Sequence, residues 1–146
     1  MEPKEIAQEF LRLINQHDVS RLIELFRHDA IINSGDPSQR PVAGTAAIRA
    51  SLEAALRSFP DLVVLPQEVF HAQLEAVAAV TIIATMKGDN PNPAQVRDWH
   101  PGSRFSWKGV ILFKISEDDR IGSLNLYGNG TSFEWLSGMP DAIART

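Results

Sequence analysis

The 146-residue chain has no cysteine and only four histidines, and these shortages remove whole chemistries. Without cysteine there is no disulfide framework, no thiolate nucleophile and no cysteine-containing zinc site. His17, His28, His71 and His100 include no pair at H-x-H or H-E-x-x-H spacing, so no metal is expected. Positive charge is sparse. The 14 Lys and Arg residues stand singly against 18 Asp and Glu, for a net charge of −4, a poor footprint for nucleic acid or an anionic membrane surface. Long hydrophobic runs are missing too: the most apolar stretch, 76–86, is broken by Thr81 and Thr85 and falls short of the roughly 20 residues a spanning helix needs. Glu2, Lys4 and Glu5 do not open a secretory signal. The expectation is a cytoplasmic protein with no nucleic-acid and no membrane partner, in which the sequon Asn129-Gly130-Thr131 stays unmodified. G-x-S-x-G, Walker A and G-x-G-x-x-G strings are absent, which leaves no trace of serine-nucleophile or phosphate-cradle chemistry.

What is present reads as one domain over residues 1–146, with 44% hydrophobic and 22% charged content and no linker or repeat. At this length about two thirds of the unfolded surface can be buried, so the core needs no staples. Ile6, Phe10, Leu13 and Ile14 recur at helical spacing between Pro3 and Gln16, and Asp18 offers an N-cap to a short second helix carrying Leu22, Ile23, Leu25 and Phe26. Residues 29–32 read as a short strand ending in the turn formers 33–37. A third helix starts at Gly44-Thr45 with a capping hydroxyl, places Ile48, Leu52, Ala55, Leu56 and Phe59 on one face, and stops at Pro60. Strands are then predicted over 62–71, 76–87, 104–115 and 121–127. Three helices thus precede a four-stranded meander. The connection 88–103 is long enough to be a functional excursion, 116–119 is a tight charged turn, and the tail 133–136 is apolar enough to pack back on the sheet.

Three strings carry a family resemblance. Asn15-Gln16-His17-Asp18 with Leu22-Ile23-Glu24-Leu25-Phe26 and His28-Asp29-Ala30, then Gly44-Thr45-Ala46-Ala47-Ile48-Arg49, then Trp107 to Phe113 with Arg120-Ile121, resemble in order and spacing the NTF2-like superfamily, in particular its SnoaL-like polyketide cyclase and ketosteroid-isomerase-like branches. The resemblance covers roughly residues 5 to 127. It implies an α+β cone in which N-terminal helices pack on a curved mixed or antiparallel sheet, with an apolar pocket open at one end and frequent homodimerisation across the sheet. It also implies isomerisation, aldol-type cyclisation, dehydration or epoxide hydrolysis without a cofactor, although other members only bind ligands or partners.

Against that pattern this chain departs in its polar groups. The oxyanion-hole tyrosine and protonated aspartate of the ketosteroid isomerases fall on Phe10 and Ile111, neither of which donates a hydrogen bond. From Ile121 to Phe133 there is no Asp or Glu, so the last-strand carboxylate of the cyclase and epoxide-hydrolase branches is missing, with Leu126 and Asn129 nearest. The isomerase general base precedes a proline just after the first strand, and Asp36-Pro37 offers that dipeptide, whereas strict spacing from Asp29 selects Ser34. A carboxylate against an apolar wall has a raised proton affinity and moves protons next to a carbonyl. The plainer reading of Asp36-Pro37 is a polar turn.

The remaining candidates each have a functional and a plain reading. His100, with Trp99 and Arg104 at the end of the long loop, is either an acid–base group delivered to the pocket mouth or a solvated histidine. Asn125, Tyr127 and Asn129 alternate along the last strand as a row for a ligand oxygen, or else face a dimer partner or water while Leu124 and Leu126 face the core. Phe105, Trp107, Ile111, Phe113 and Ile115 share one parity and should line the core, with Trp107 as a ligand wall and Met86 opposite it. Two functions follow. The first is a cofactor-independent SnoaL-like cyclase, isomerase or dehydratase using Asp36, His100 and Asn129 on an apolar oxygenated polyketide or terpenoid intermediate, with Trp107, Tyr127, Asn125, Met86 and Trp99 binding the ligand. The second is a non-catalytic module that binds a small hydrophobic molecule or a protein. A homodimer is expected in both cases.

Overall fold

The computed structural model describes residues 1–34, 40–87, 102 and 104–128. Helix α1, Pro3–Asn15, begins with proline at its first turn, where a missing N–H costs nothing, carries Glu5 near the N-terminus and Arg12 near the C-terminus, and buries Ile6, Ala7, Phe10, Leu11, Leu13 and Ile14. Its exit explains the Asn-x-x-Asp string. The Asn15 amide donates to the Val64 carbonyl at 2.8 Å while its oxygen accepts from the Val64 N–H at 2.7 Å, so one side chain replaces a neighbouring strand along a sheet edge. His17 turns the chain at φ 57, with a ring nitrogen 2.8 Å from the Leu62 carbonyl. Asp18 then caps α2, Val19–Ile23, accepting from the Arg21 N–H at 3.1 Å.

That second helix is shorter than the apolar spacing suggests. Phe26 leaves it to start β1, Phe26–Asn33, because it finds a strand partner in Ile121 and is buried there, and this tertiary pairing outweighs helix periodicity. A two-residue strand β2, Val42–Ala43, precedes α3, Thr45–Ser58. The expected capping hydroxyl is not used. Gly44 is the N-cap, at φ 87, with no side-chain cap hydrogen bond, and its N–H donates to the Ala30 carbonyl at 2.8 Å.

Strands β3 (Val63–Ala72), β4 (Glu75–Thr85), β5 (Arg104–Ile115) and β6 (Ile121–Gly128) form the expected antiparallel meander. It is extended by β1, which pairs parallel to β6, giving a six-stranded mixed sheet in the order β2-β1-β6-β5-β4-β3. A register shift at Gln67 in β3, and a larger one where residues 27–30 of β1 pass Gly122 of β6, bend the sheet around the helices. The arrangement is the expected α+β fold, with α1 against β3, β4 and β5 and α3 against β1 and β2.

The inner face follows strand alternation. Ala76, Ala78, Val80, Ile82 and Ala84 of β4, Trp107, Ile111, Phe113 and Ile115 of β5, and Leu124 and Leu126 of β6 are all buried. Phe10 meets Phe113 and Phe26 edge-on, with ring centres 5.3 and 6.1 Å apart, which ties α1 to the sheet. Trp107 is laid flat. A Cβ added at either Gly109 or Gly128, which face each other across β5 and β6, would come within 2.2 Å of its indole, so the ring rests on the backbone of two glycines. No helix among the described residues is long and apolar enough to cross a membrane.

Candidate functional site

Between the helices and the inner face lies a cavity of about 180 Å³. Helix α1 contributes Phe10 and Ile14, and α3 contributes Leu52, Ala55 and Leu56 from the opposite side. The sheet closes it with Ile32, Val42, Leu62, Val64, Ile82, Ile111, Leu124 and Leu126. Thirteen of the sixteen lining residues are apolar, and the other three, Ser34, Arg40 and Ser51, belong to the end of β1, the approach to β2 and α3. Arg40 and Ser51 are exposed, so they stand where the cavity meets solvent, and the rest of the described lining apart from Ser34 is hydrocarbon. A site of this kind selects its ligand by shape and apolar area, with orientation left to the rim.

Phe10 and Ile111, which the family resemblance sets at the oxyanion-donor positions of the ketosteroid isomerases, both line this cavity, and neither side chain donates a hydrogen bond. Ser34, the residue that strict spacing sets at the isomerase base, also lines it, as an alcohol with no carboxylate. Arg40 is the one titratable side chain among the described lining residues. No group of three or more His, Asp or Glu among the described residues could hold a metal ion.

The other sequence candidates fall into three groups. Asp36, Trp99, His100 and Asn129 lie outside the described residues. Trp107 and Met86 are fully buried and belong to the core next to the cavity; neither is among its lining residues. Asn125 and Tyr127 alternate with Leu124 and Leu126 and so stand on the opposite face of β6 from the cavity. There Asn125 is buried by its own polar neighbours. It accepts from Asn33 Nδ2 at 2.9 Å and donates to Ser123 Oγ at 3.1 Å and to the Leu112 carbonyl at 3.4 Å. Tyr127 is 51% exposed. The structure thus does not bring these two together with the cavity-lining residues. What sequence reasoning missed is the rim: Arg40 and Ser51 are isolated polar residues in no motif, and only Ser34 had a signal, in its spacing from Asp29.

A second cleft, lined by Phe26, Arg27, His28, Thr45, Asp118 and Arg120, lies on the surface. Its arginines are engaged: Arg27 Nε donates to Asp29 at 3.0 Å and Arg120 donates to the Glu24 carbonyl at 2.8 Å. Away from both sites, Asp61 anchors the end of β4, accepting from the Thr85 N–H at 2.7 Å. Burial pushes its carboxyl up, but the hydrogen bonds from Thr85 outweigh this and hold it below the usual aspartate value.

A search of curated protein sequences finds no match. The structure resembles SalBIII, an epoxide hydrolase/cyclase-like enzyme of pyran ring formation in polyether salinomycin, at a TM-score of 0.70 and 20% identity over 88% of this chain and 91% of that one. It is similar to a Mycobacterium tuberculosis protein solved in complex with estradiol-17beta-hemisuccinate, at 0.72 and 18% identity over 89% of this chain and 96% of that one. A computationally designed 17-OHP binder aligns at 0.71 and 19% identity over 89% and 95% of the two chains. At such identities these likenesses concern the fold. The SnoaL-like domain family matches residues 7–123, a span that runs from within α1 to the start of β6 and holds every described lining residue of the cavity except Leu124 and Leu126. The chain is a member of the SnoaL-like domain family, within the NTF2-like superfamily.

Proposed function

We propose that the chain is a cofactor-independent enzyme of the cyclase, isomerase or dehydratase type, acting by acid–base chemistry on an apolar oxygenated natural-product intermediate such as a polyketide or terpenoid. One observation carries this reading: a cavity whose described lining is hydrocarbon except for Ser34, Arg40 and Ser51. Asp36 follows Ser34 by two residues in the chain and precedes Arg40 by four, and both of those residues line the cavity. In the proposed mechanism its carboxylate takes a proton next to a substrate carbonyl and returns it at another carbon, His100 serves as the partner acid or base, and Asn129 holds the carbonyl oxygen. The apolar wall makes the proton transfer effective, because a carboxylate beside hydrocarbon holds its proton more tightly than one in water. Trp107 and Met86 shape the site from behind its lining, and Trp99 joins it with His100. Asn125 and Tyr127, on the outer sheet face with Leu65 and Phe70, are better placed for a homodimer contact. We place the protein in the cytoplasm.

The second reading is a non-catalytic module for a small hydrophobic molecule. It is favoured by the absence of any titratable lining side chain but Arg40 among the described residues. Mass spectrometry of the molecule that co-purifies with the chain, followed by turnover of that same molecule, separates the two. General acid–base groups contribute about 10²- to 10⁴-fold, so Asp36→Asn or His100→Ala should slow turnover by at least about 100-fold. Wild-type turnover in both variants would remove the catalytic roles, and a molecule bound and returned unchanged by the wild type would establish the second reading.

A further inference from the structure

The two ends of the cavity differ in chemistry, and each constrains the ligand. At the sheet end stands the indole of Trp107. It belongs to the inner row of β5 that continues through Gly109 to Ile111, it pairs across the ladder with Ile82, and its ring reaches Gly128 beyond Leu126. Ile82, Ile111 and Leu126 all line the cavity and Trp107 does not, so the indole fills the stretch of inner sheet face next to that wall. Glycine at 109 and 128 makes this possible, since any side chain there would meet the ring within 2.2 Å. The space left is about 180 Å³. A protein cavity of about 150 Å³ holds one benzene ring, whereas pockets for drug-sized molecules begin near about 300 Å³. One ring with short substituents fills a space of that size, and the four fused rings of a steroid exceed it.

At the rim Arg40 is exposed and forms no ion pair with any described residue, unlike Arg27 with Asp29, Arg49 with Glu53 and Arg120 with Asp118. Ser34 and Ser51 line the cavity beside it. A guanidinium at the mouth of a hydrocarbon pocket matches a planar carboxylate through paired N–H donors while the body of the acid stays in the pocket. We infer that the site takes single-ring, largely hydrocarbon acids, with Trp107 setting the limit of ligand size and Arg40 holding the carboxylate. The inference rests on the proposed function in taking this cavity as the substrate site, and it adds the class of molecule.

The test is calorimetric titration of the full chain with para-isopropylbenzoate, its methyl ester and progesterone. The acid should bind more tightly than the ester and lose affinity by about fivefold in Arg40→Gln, the scale of one exposed ion pair, while the ester should be indifferent to that change. Progesterone should not bind the wild type and should bind Trp107→Ala. Where that variant does not fold, Trp107→Phe is the substitute, and it should improve the two-ring acid 2-naphthoate by about tenfold relative to para-isopropylbenzoate, the equivalent of two buried methylene groups. Wild-type binding of progesterone at the strength of the one-ring acid would overturn the size limit. An ester that binds as well as the acid, with Arg40→Gln silent, would overturn the anchor. Neither result touches the turnover measured for Asp36→Asn, so loss of this inference and loss of the proposed function are separately visible. Failure of all three probes on folded protein would overturn the inference as a whole.

Discussion

Replacing Gly128 by alanine is the sharpest probe of how the site is closed. The added Cβ would lie 2.2 Å from Trp107 Cζ2, 2.5 Å from Cε2 and 2.9 Å from the Lys108 carbonyl oxygen. Ordinary carbon contacts begin near 3.4 Å, so the indole would have to retreat by about 1 Å. Trp107 is 1% exposed, so the retreat must disturb its packed neighbours. Overpacking of this kind costs about 1–3 kcal/mol, and in a domain of this size each kcal/mol lowers Tm by about 3–4 °C. Thermal unfolding followed by circular dichroism should therefore show Gly128→Ala about 3–12 °C below the wild type. Two controls make the attribution specific. At Gly122 the nearest atoms to an added Cβ are 3.6 and 3.8 Å away, so Gly122→Ala should cost little. Trp107→Phe removes the offending ring atoms, so the double variant with Gly128→Ala should be less destabilised than the sum of the singles by about 1 kcal/mol or more. The same rescue should fail for Gly109→Ala, whose Cβ also meets the Tyr127 backbone oxygen at 2.4 Å. A Gly128→Ala Tm equal to that of Gly122→Ala, or a cycle with no coupling, would refute the placement of the indole.

Three further outcomes follow from the structure. Asn15→Ala leaves both backbone groups of Val64 without their side-chain partner and should cost about 2–4 kcal/mol, with faster amide hydrogen exchange at Val64. Ala55→Leu grows a side chain into the cavity; it should raise stability by up to about 2 kcal/mol in thermal unfolding while weakening ligand binding at least about tenfold. Asp61 has a depressed folded pKa, so its stabilisation is complete above the ordinary value of 3.8 and is lost as the pH falls through the folded value. Asp61→Asn should accordingly lower stability at pH 7 by less than about 1 kcal/mol, given its exposure, and the gap to the wild type should close in denaturation below the ordinary aspartate value.

The parts of the fold that were legible in the sequence are those with a local pattern. Ile6, Phe10, Leu13 and Ile14 carry a period that only a helix face satisfies, and alternation along β4, β5 and β6 separates Ile82, Ile111 and Leu126 from their outward neighbours. Non-local features left no such mark. The parallel pairing of β1 with β6 joins Phe26 to Ile121, and nothing near Phe26 announces it, so the apolar spacing extends the helix three residues too far. Strand β2, only Val42 and Ala43, is too short to show any period. At the site, the apolar wall was legible because core-facing positions are also cavity-facing ones, as Phe10 and Ile111 show. The rim was not. Arg40 and Ser51 are single polar residues whose meaning comes from where β2 and α3 meet the end of β1. Asn125 and Tyr127 show the converse limit, since alternation told that they share a face but not that Asn33 and Ser123 would occupy the hydrogen bonds of Asn125.

The central claim is that the cavity between α1, α3 and the inner sheet face is where the ligand sits. It is tested most directly by intermolecular nuclear Overhauser effects between para-isopropylbenzoate and methyl-labelled protein. A ligand in the cavity gives contacts from the ring and isopropyl protons to the methyl groups of Ile14, Leu56, Ile82 and Leu126, and none to Leu65 or Ile31 on the outer face. Contacts to Leu65 or Ile31 without any to the four cavity residues would contradict it.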